Sequence, residues 1–356
     1  MKNLKTKLTI IGISLLSINA FAQDYVYNGI KNVDATIGMN QTESDSGQET
    51  ISADCYDPAN IGETIQAKGC EGLKIVDNNS LRQMVLNDEN YADTNIFTGQ
   101  VTDMSYLFCY YSGRNTTLYN LCTRKNPIYS ISNWNTENVI DMSYMFYGSV
   151  YNQPLNNWNV SNVNNMRSMF YDSSYNQPLN NWDVSNITNM YGMFMYSTYN
   201  QPLNNWNVSN VNNMSFMFRN STYNQPLDNW NVSNVTNMYG MFYNSVYNQP
   251  LNNWNVSNVT DMGNMFYNSV YNQPLNNWNV SNVTNMGTMF YESMYNQPLN
   301  NWDVSNVTNM GTMFSKSSFN KNISNWCVSN FSSEPNYFRY NSPLSNANDP
   351  NWGTCP

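Results

Sequence analysis

Histidine is absent from the 356 residues, so neither a Ser–His nor a Cys–His nucleophile can be assembled. Paired carboxylates are the general acid and base that remain. Asp183, Asp228, Asp261 and Asp303 stand singly, at three different places in a repeated phrase. They read as Asn-to-Asp variation in a solvated row, and no enzymatic activity or cofactor is expected. Calcium would be the natural metal for an acidic exported repeat, but neither the EF-hand spacing nor G-G-x-G-x-D occurs, so no metal site is expected. Six cysteines without a C-x-x-C pair point to disulfides in an oxidising compartment, not to zinc.

The elements that position these residues are set by repetition. Trp134, Trp158, Trp182, Trp206, Trp230, Trp254, Trp278, Trp302 and Trp326 stand 24 residues apart without an insertion. Such spacing predicts repeats stacked in register, each too small to bury its own apolar face. Within one unit Trp158 and Val160 alternate, as on a short strand. Val163, Met166, Met169 and Phe170 follow at i, i+3, i+6 and i+7, as in two turns of α- or 3₁₀-helix. Pro154 marks a turn before the strand. The expected fold is an α/β solenoid of about nine units, each a short parallel strand plus a short helical segment. The tryptophans form its core ladder, and strands about 4.8 Å apart give a rod roughly 40 Å long.

Asparagine dominates the polar positions. Asn159, Asp183, Asn207, Asn231, Asn255, Asn279 and Asp303 follow successive tryptophans and are expected to form an exposed ladder. Asn152, Asn157 and Asn162 also recur. Stacked amides bond along a ladder where stacked charges would repel, and others serve tight bends. The N-V-S and N-V-T triplets read as repeat grammar, because glycans on adjacent strands would collide. Differences between repeats concentrate on the helical side, at Arg167-Ser168, Tyr191-Gly192, Ser215-Phe216 and Gly263-Asn264. That side and the amide face are the two candidate binding surfaces, and the exposure of Tyr147, Tyr171 and Tyr243 bears on the choice.

The register also suggests the disulfides. VTDMSYLF (101–108) matches VIDMSYMF (139–146), so 14 residues at 109–122 are inserted into the first unit. A Cys109–Cys122 bridge would pinch them off. Of the fifteen connectivities six cysteines allow, sequential pairing is the simplest. It adds Cys55–Cys70 before the first unit and Cys327–Cys355 over an irregular tail. Lys2, Lys5 and Lys7, the apolar stretch Leu8–Leu16 and Ala20-Phe21-Ala22 read as a signal peptide over 1–22. A polar acidic segment (23–50), an N-terminal cap (51–100), the repeats (101–326) and a C-terminal cap (327–356) follow. The formal charge is −9 and includes the three signal lysines. It argues against nucleic acid and anionic lipid, and no membrane span is expected.

Leu155-x-x-Trp158-x-Val160 resembles the strand of leucine-rich repeats. VSNVNNMRSMF (160–170), LNNWDVSNVTNMGTMF (299–314) and FNKNISNWCVSNF (319–331) resemble the short-period branch of the BspA-like leucine-rich-repeat surface proteins. The resemblance covers about Val101 to Phe331. It implies a right-handed stack with disulfide-bridged caps, and a secreted or surface-displayed bacterial protein. Its partners would be extracellular or host proteins or glycans, with an adhesive role. The alternative is a structural spacer of an envelope or biofilm matrix without a specific ligand. A third use of the Asn/Ser/Thr face is contact with an ordered surface such as ice or crystalline polysaccharide.

Overall fold

The computed structural model describes residues 50–110 and 123–356. The signal call on 1–22 and most of the acidic segment lie outside them, as does Cys122. The chain is a repeat protein whose units stack in register. Trp254 and Trp278 lie parallel at 6.5 Å between ring centroids, and Phe242 and Phe266 at 5.7 Å. All seven apolar positions of the first full unit, Leu155, Trp158, Val160, Val163, Met166, Met169 and Phe170, are buried. A further buried column was not expected as core: Tyr175, Tyr199, Tyr223, Tyr247, Tyr271 and Tyr295, from the YNQP turn, are fully inside.

The α/β description of the units needs correction. Among the described residues, and apart from the two-residue strands that flank the insertion at 109–122, no repeat contains a helix or a strand of two or more paired residues. The segment read as helical is a run of β-turns. Met145, Tyr147 and Ser149 donate three residues back, to the carbonyls of Met142, Tyr144 and Phe146 at 3.1–3.3 Å. The intervening Met142, Tyr144, Phe146 and Gly148 donate instead to Asn165, Arg167, Met169 and Tyr171 of the next repeat, at 2.7–3.1 Å. Tyr144 and Gly148 have φ of +58° and +65°, which suits the third residue of a type II turn and no α-helix. Consecutive turns and helical turns both bring residues i and i+3 to one face, so apolar spacing alone does not separate them.

The parallel pairing falls on this turn segment, as single bridges such as Asn165↔Asn189 and Asn189↔Asn213. The Trp-x-Val stretch, expected as the strand, is itself turned: Trp158 N–H donates to Leu155 and Val163 N–H to Val160. Its inter-repeat bond comes from the side chain, with Trp158 Nε1 donating to Ile131 O at 3.0 Å and Trp182 Nε1 to Leu155 O at 2.9 Å.

The two ends are built differently. At the N-terminal end, β1 (Lys74–Ile75) pairs in parallel with β2 (Ile96–Phe97). Between them lies α1 (Asn78–Leu86), started by a capping box between Asp77 and Ser80 and anchored by Leu81, Met84 and Val85. Cys55 and Cys70 are joined within this cap and pack with Ile75 and Phe97. Tyr56 donates to the buried carboxylate of Glu137, tying the cap to the first repeats. β3 (Cys109–Tyr110) and β4 (Thr123–Arg124) pair antiparallel, so the inserted segment leaves and returns at one point. Cys109 is disulfide-bonded; its proposed partner, Cys122, lies outside the described residues.

At the C-terminal end, Cys327 and Cys355 are joined. The tail between them, read from sequence as irregular, contains one more turn segment. Thr312, Phe314 and Lys316 donate to Asn336, Phe338 and Tyr340, and Tyr337 and Asn341 repeat the two positive φ angles four residues apart. This copy is set one residue further on and lacks the methionines, which hides it from a search for NM-x-x-MF.

Candidate functional site: a tyrosine and arginine strip

Two faces present themselves, and the amide face comes first. Asn159 is half-buried, while Asp183, Asn207, Asn231, Asn255, Asn279 and Asp303 are exposed. Their side-chain oxygens turn back onto the N–H two residues on, as in Asn159 with Ser161 at 3.1 Å and Asp183 with Ser185 at 3.0 Å. This is a bend-capping bond, and it replaces the ladder expected along the column. Elsewhere most amides serve the backbone of the neighbouring repeat. Asn152 Oδ1 accepts from Asn176 N at 2.8 Å, and Asn186 Nδ2 donates to Ser161 O at 2.6 Å. A path made of turns leaves peptide groups that no strand partner satisfies, and asparagine, carrying both donor and acceptor, fills them. Amide-to-amide bonding occurs at Asn309, whose Nδ2 donates to Asn285 Oδ1 at 2.9 Å. Asp261 accepts from Gly263 N and Asn285 Nδ2, and Asp228 from Asn204 Nδ2. The four acids stay apart, and among the described residues no cluster suits a metal.

The turn side carries the aromatic residues. Its residues sit where the backbone turns outward, including two left-handed positions per repeat. Glycine and asparagine fill many of these, but Tyr144, Tyr196, Phe216, Thr288 and Thr312 also have positive φ. That conformation costs a non-glycine residue roughly 1–2 kcal/mol, and the bonds to the next repeat hold it in place. Two of the glycines make room for rings: a Cβ on Gly240 would lie 2.6 Å from Phe216 Cε1, and one on Gly263 would lie 2.7 Å from Asn285 Nδ2 and 2.9 Å from Tyr239 Cε2.

The rings and cations join into a strip along the stack. Tyr106 and Tyr144 stack at 4.5 Å, and Arg167 follows, 5.8 Å from the Tyr144 ring centroid and 4.3 Å from that of Tyr191. Tyr191 meets Phe216 edge-on at 5.7 Å, and Phe216 meets Tyr239 at 5.1 Å. In the adjacent column Tyr147 and Tyr171 stack at 4.4 Å, and Tyr243 and Tyr267 at 4.3 Å. Arg219 bridges the columns, 5.2 Å from Phe216 and 4.5 Å from Tyr243. Lys316 closes the strip over Tyr291 and pairs with Glu292 at 2.9 Å. Tyr147, Tyr171 and Tyr243 are therefore half-buried members of stacks.

This packing decides what the strip offers. Ring faces are largely consumed by neighbouring rings and guanidinium groups, and the Tyr239 hydroxyl is engaged by Asn264 Nδ2. Ring edges carry the positive end of the quadrupole. Burial, with Tyr144 alongside, pushes the Tyr106 phenol up to about 12; burial and Tyr243 do the same to Tyr267. At neutral pH these phenols are protonated donors. The strip is thus a row of donors and cations on an otherwise acidic chain, suited to acceptor-rich partners more than to sugar rings that need an open aromatic face.

Sequence inspection located the tyrosines but not the arginine bridges. The signal was present, since Arg167 and Arg219 each stand one repeat before a tyrosine of the same column, Tyr191 and Tyr243.

No curated protein and no solved structure matches the chain. One family model does, in four overlapping passes over residues 79–198, 116–222, 174–270 and 246–352. These passes span the described repeats and reach into both caps. The chain therefore belongs to the repeat family described as "Mycoplasma protein of unknown function, DUF285".

Proposed function

We propose that the chain is a secreted or surface-displayed, non-catalytic binding protein that mediates adhesion through the tyrosine and arginine strip. In this reading the stack is a right-handed solenoid of the BspA-like, leucine-rich-repeat type, exported by residues 1–22. The carrying observation is the unbroken run of ring and cation contacts from Tyr106 to Lys316. Tyrosine with arginine is the chemistry that protein interfaces favour. Disulfides at Cys55–Cys70 and Cys327–Cys355 suit an oxidising compartment, and no described helix is long and apolar enough to cross a membrane.

The test is a binding screen of the purified chain against extracellular-matrix proteins and a glycan array. It is repeated with a variant carrying Arg167→Ala, Arg219→Ala and Tyr243→Ala. Binding that falls at least about tenfold in the variant supports the strip, since central interface residues carry most of the energy. Folded protein that binds nothing in the panel overturns adhesion, and undiminished binding by the variant moves the site elsewhere.

The second reading, a spacer, is favoured by the uniform bonding between repeats, illustrated by Trp230, Trp254 and Trp278 with Leu203, Leu227 and Leu251, all at 2.9 Å. Deleting residues 199–246 separates the two readings: a spacer loses only length, whereas the strip loses Arg219 and Tyr243.

A further inference from the structure

Each turn segment has two unlike edges. Its N–H groups at alternate residues point to the next repeat, and the carbonyls that receive the previous repeat's donors point the other way. An ordinary strand edge mixes donors and acceptors. Within the turn segment the edge toward the next repeat offers donors and the opposite edge acceptors, while flanking bonds such as Asn285 N–H to Thr260 O and Ser318 N–H to Ser293 O run the other way.

The acceptor edge is capped in part at the N-terminal end of the stack, where Arg82 from α1 donates to Ser105 O at 2.7 Å and Asp103 O at 3.4 Å. The donor edge at the other end is open. Segment 335–341 accepts from Thr312, Phe314 and Lys316, but the equivalent N–H groups of Tyr337, Arg339 and Asn341 have no acceptor among the described residues. Tyr337 and Arg339, with Glu334, Pro335, Asn336 and Tyr340, also line a shallow, open depression. Within that lining Tyr337 and Tyr340, 68% and 53% exposed, meet edge-on at 5.7 Å.

We infer that this edge docks an extended segment of another polypeptide, which adds main-chain carbonyl oxygens at alternate residues and continues the contact made between repeats. Recognition of this kind draws affinity from the backbone and tolerates varied side chains. A second copy is a poor occupant. Two such edges facing each other would set donors against donors, and a head-to-tail copy would meet carbonyls already covered by Arg82. A free anion is opposed by Glu334 and by the net charge of −9. The exposed Tyr337 and Tyr340 supply contact area for the incoming side chains. The inference goes beyond the adhesion reading and does not depend on the strip.

The test uses the full chain and an acetylated, amidated peptide of its residues 309–317. Within the stack the carbonyls of that segment at Asn309, Gly311, Met313 and Ser315 receive Met286, Thr288, Phe290 and Glu292. In the free chain the amides of Tyr337, Arg339 and Asn341 should exchange with deuterium at least about 100-fold faster than those of Thr312, Phe314 and Lys316. Peptide at millimolar concentration should slow them at least about tenfold. Arg339→Pro, which removes the central donor, should reduce this slowing at Tyr337 and Asn341, while Arg219→Ala should leave it intact. Slow exchange in the free chain, no response to peptide, the same response to sulfate, or full slowing in Arg339→Pro would each overturn the inference. Should Arg339→Pro fail to fold, the peptide response of the unmodified chain decides.

Discussion

The indole N–H of Trp254 donates to the carbonyl oxygen of Leu227, one repeat back, at 2.9 Å. The same oxygen accepts the backbone N–H of Trp230 at 3.1 Å. One carbonyl therefore closes a turn within its own repeat and clamps the next repeat onto it. The tryptophan column is a hydrogen-bonded ladder as well as an apolar one.

Trp254→Phe keeps a ring in the column but removes the donor and part of the volume. A loss of about 1–3 kcal/mol is expected from the bond and the incomplete filling together. Urea unfolding followed by near-ultraviolet circular dichroism measures it. A change of only a few tenths would mean that the indole N–H contributes nothing beyond its apolar ring.

Much of the stack was legible because burial and period are sequence properties. The 24-residue register fixes which side chains meet, and Leu155, Trp158, Val163 and Phe170 are inside. Backbone conformation was less legible. Met166 and Met169 share a face in a helix and in consecutive turns alike, and the left-handed position between them is filled by Ser168, which carries no strong turn signal. In sister repeats Gly192, Gly240 and Asn264 occupy that position, so the turn signal was present but spread over several units. The strip was half-legible for a similar reason. Its tyrosines are conspicuous, but whether a ring points to solvent or onto its neighbour depends on contacts one repeat away.

Gly240 tests the ring berths. Its φ is +60°, and an added Cβ would meet Phe216 at 2.6 Å. Gly311 stands at a neighbouring place in its own repeat, outside the left-handed region, and its nearest atom would be Asn309 Oδ1 at 3.5 Å. Gly240→Ala should cost roughly 1–3 kcal/mol from backbone strain and displacement of the ring. Gly311→Ala should be neutral or slightly stabilising, by up to about 1 kcal/mol. Equal effects in thermal unfolding would refute the berth.

The Cys327–Cys355 bridge holds the last turn segment and the closing Trp352 against the stack. Trp352 contacts Phe331 and Phe338 edge-on at 5.8 and 4.9 Å, and Val328 N–H donates to Thr354 O. Replacing both cysteines by serine should remove about 2–4 kcal/mol from the cap. Because each repeat touches only its neighbours, faster amide exchange should appear at Val328 and Thr312 and leave Phe170 unchanged. Uniform acceleration along the whole chain would show that the stack unfolds as one unit.

The buried tyrosine column predicts the alkaline limit of stability. Burial raises the phenols of Tyr199, Tyr223, Tyr247, Tyr271 and Tyr295 above their ordinary value of 10.0. Tyr175 Oη accepts from Leu155 N at 3.2 Å, and the later phenols have no partner at hydrogen-bonding geometry although the equivalent leucine N–H faces them. A pKa raised in the folded state means that folding favours the protonated form. The contribution is whole below pH 10 and is lost as pH rises above it, toward and beyond the folded values. Absorbance at 295 nm should therefore rise in two stages. Partly exposed phenols such as Tyr267, at about 12, titrate while the fold persists, and the buried column ionises only as near-ultraviolet dichroism collapses. Ionisation of the whole tyrosine complement near pH 10 with the dichroism intact would contradict a sealed column.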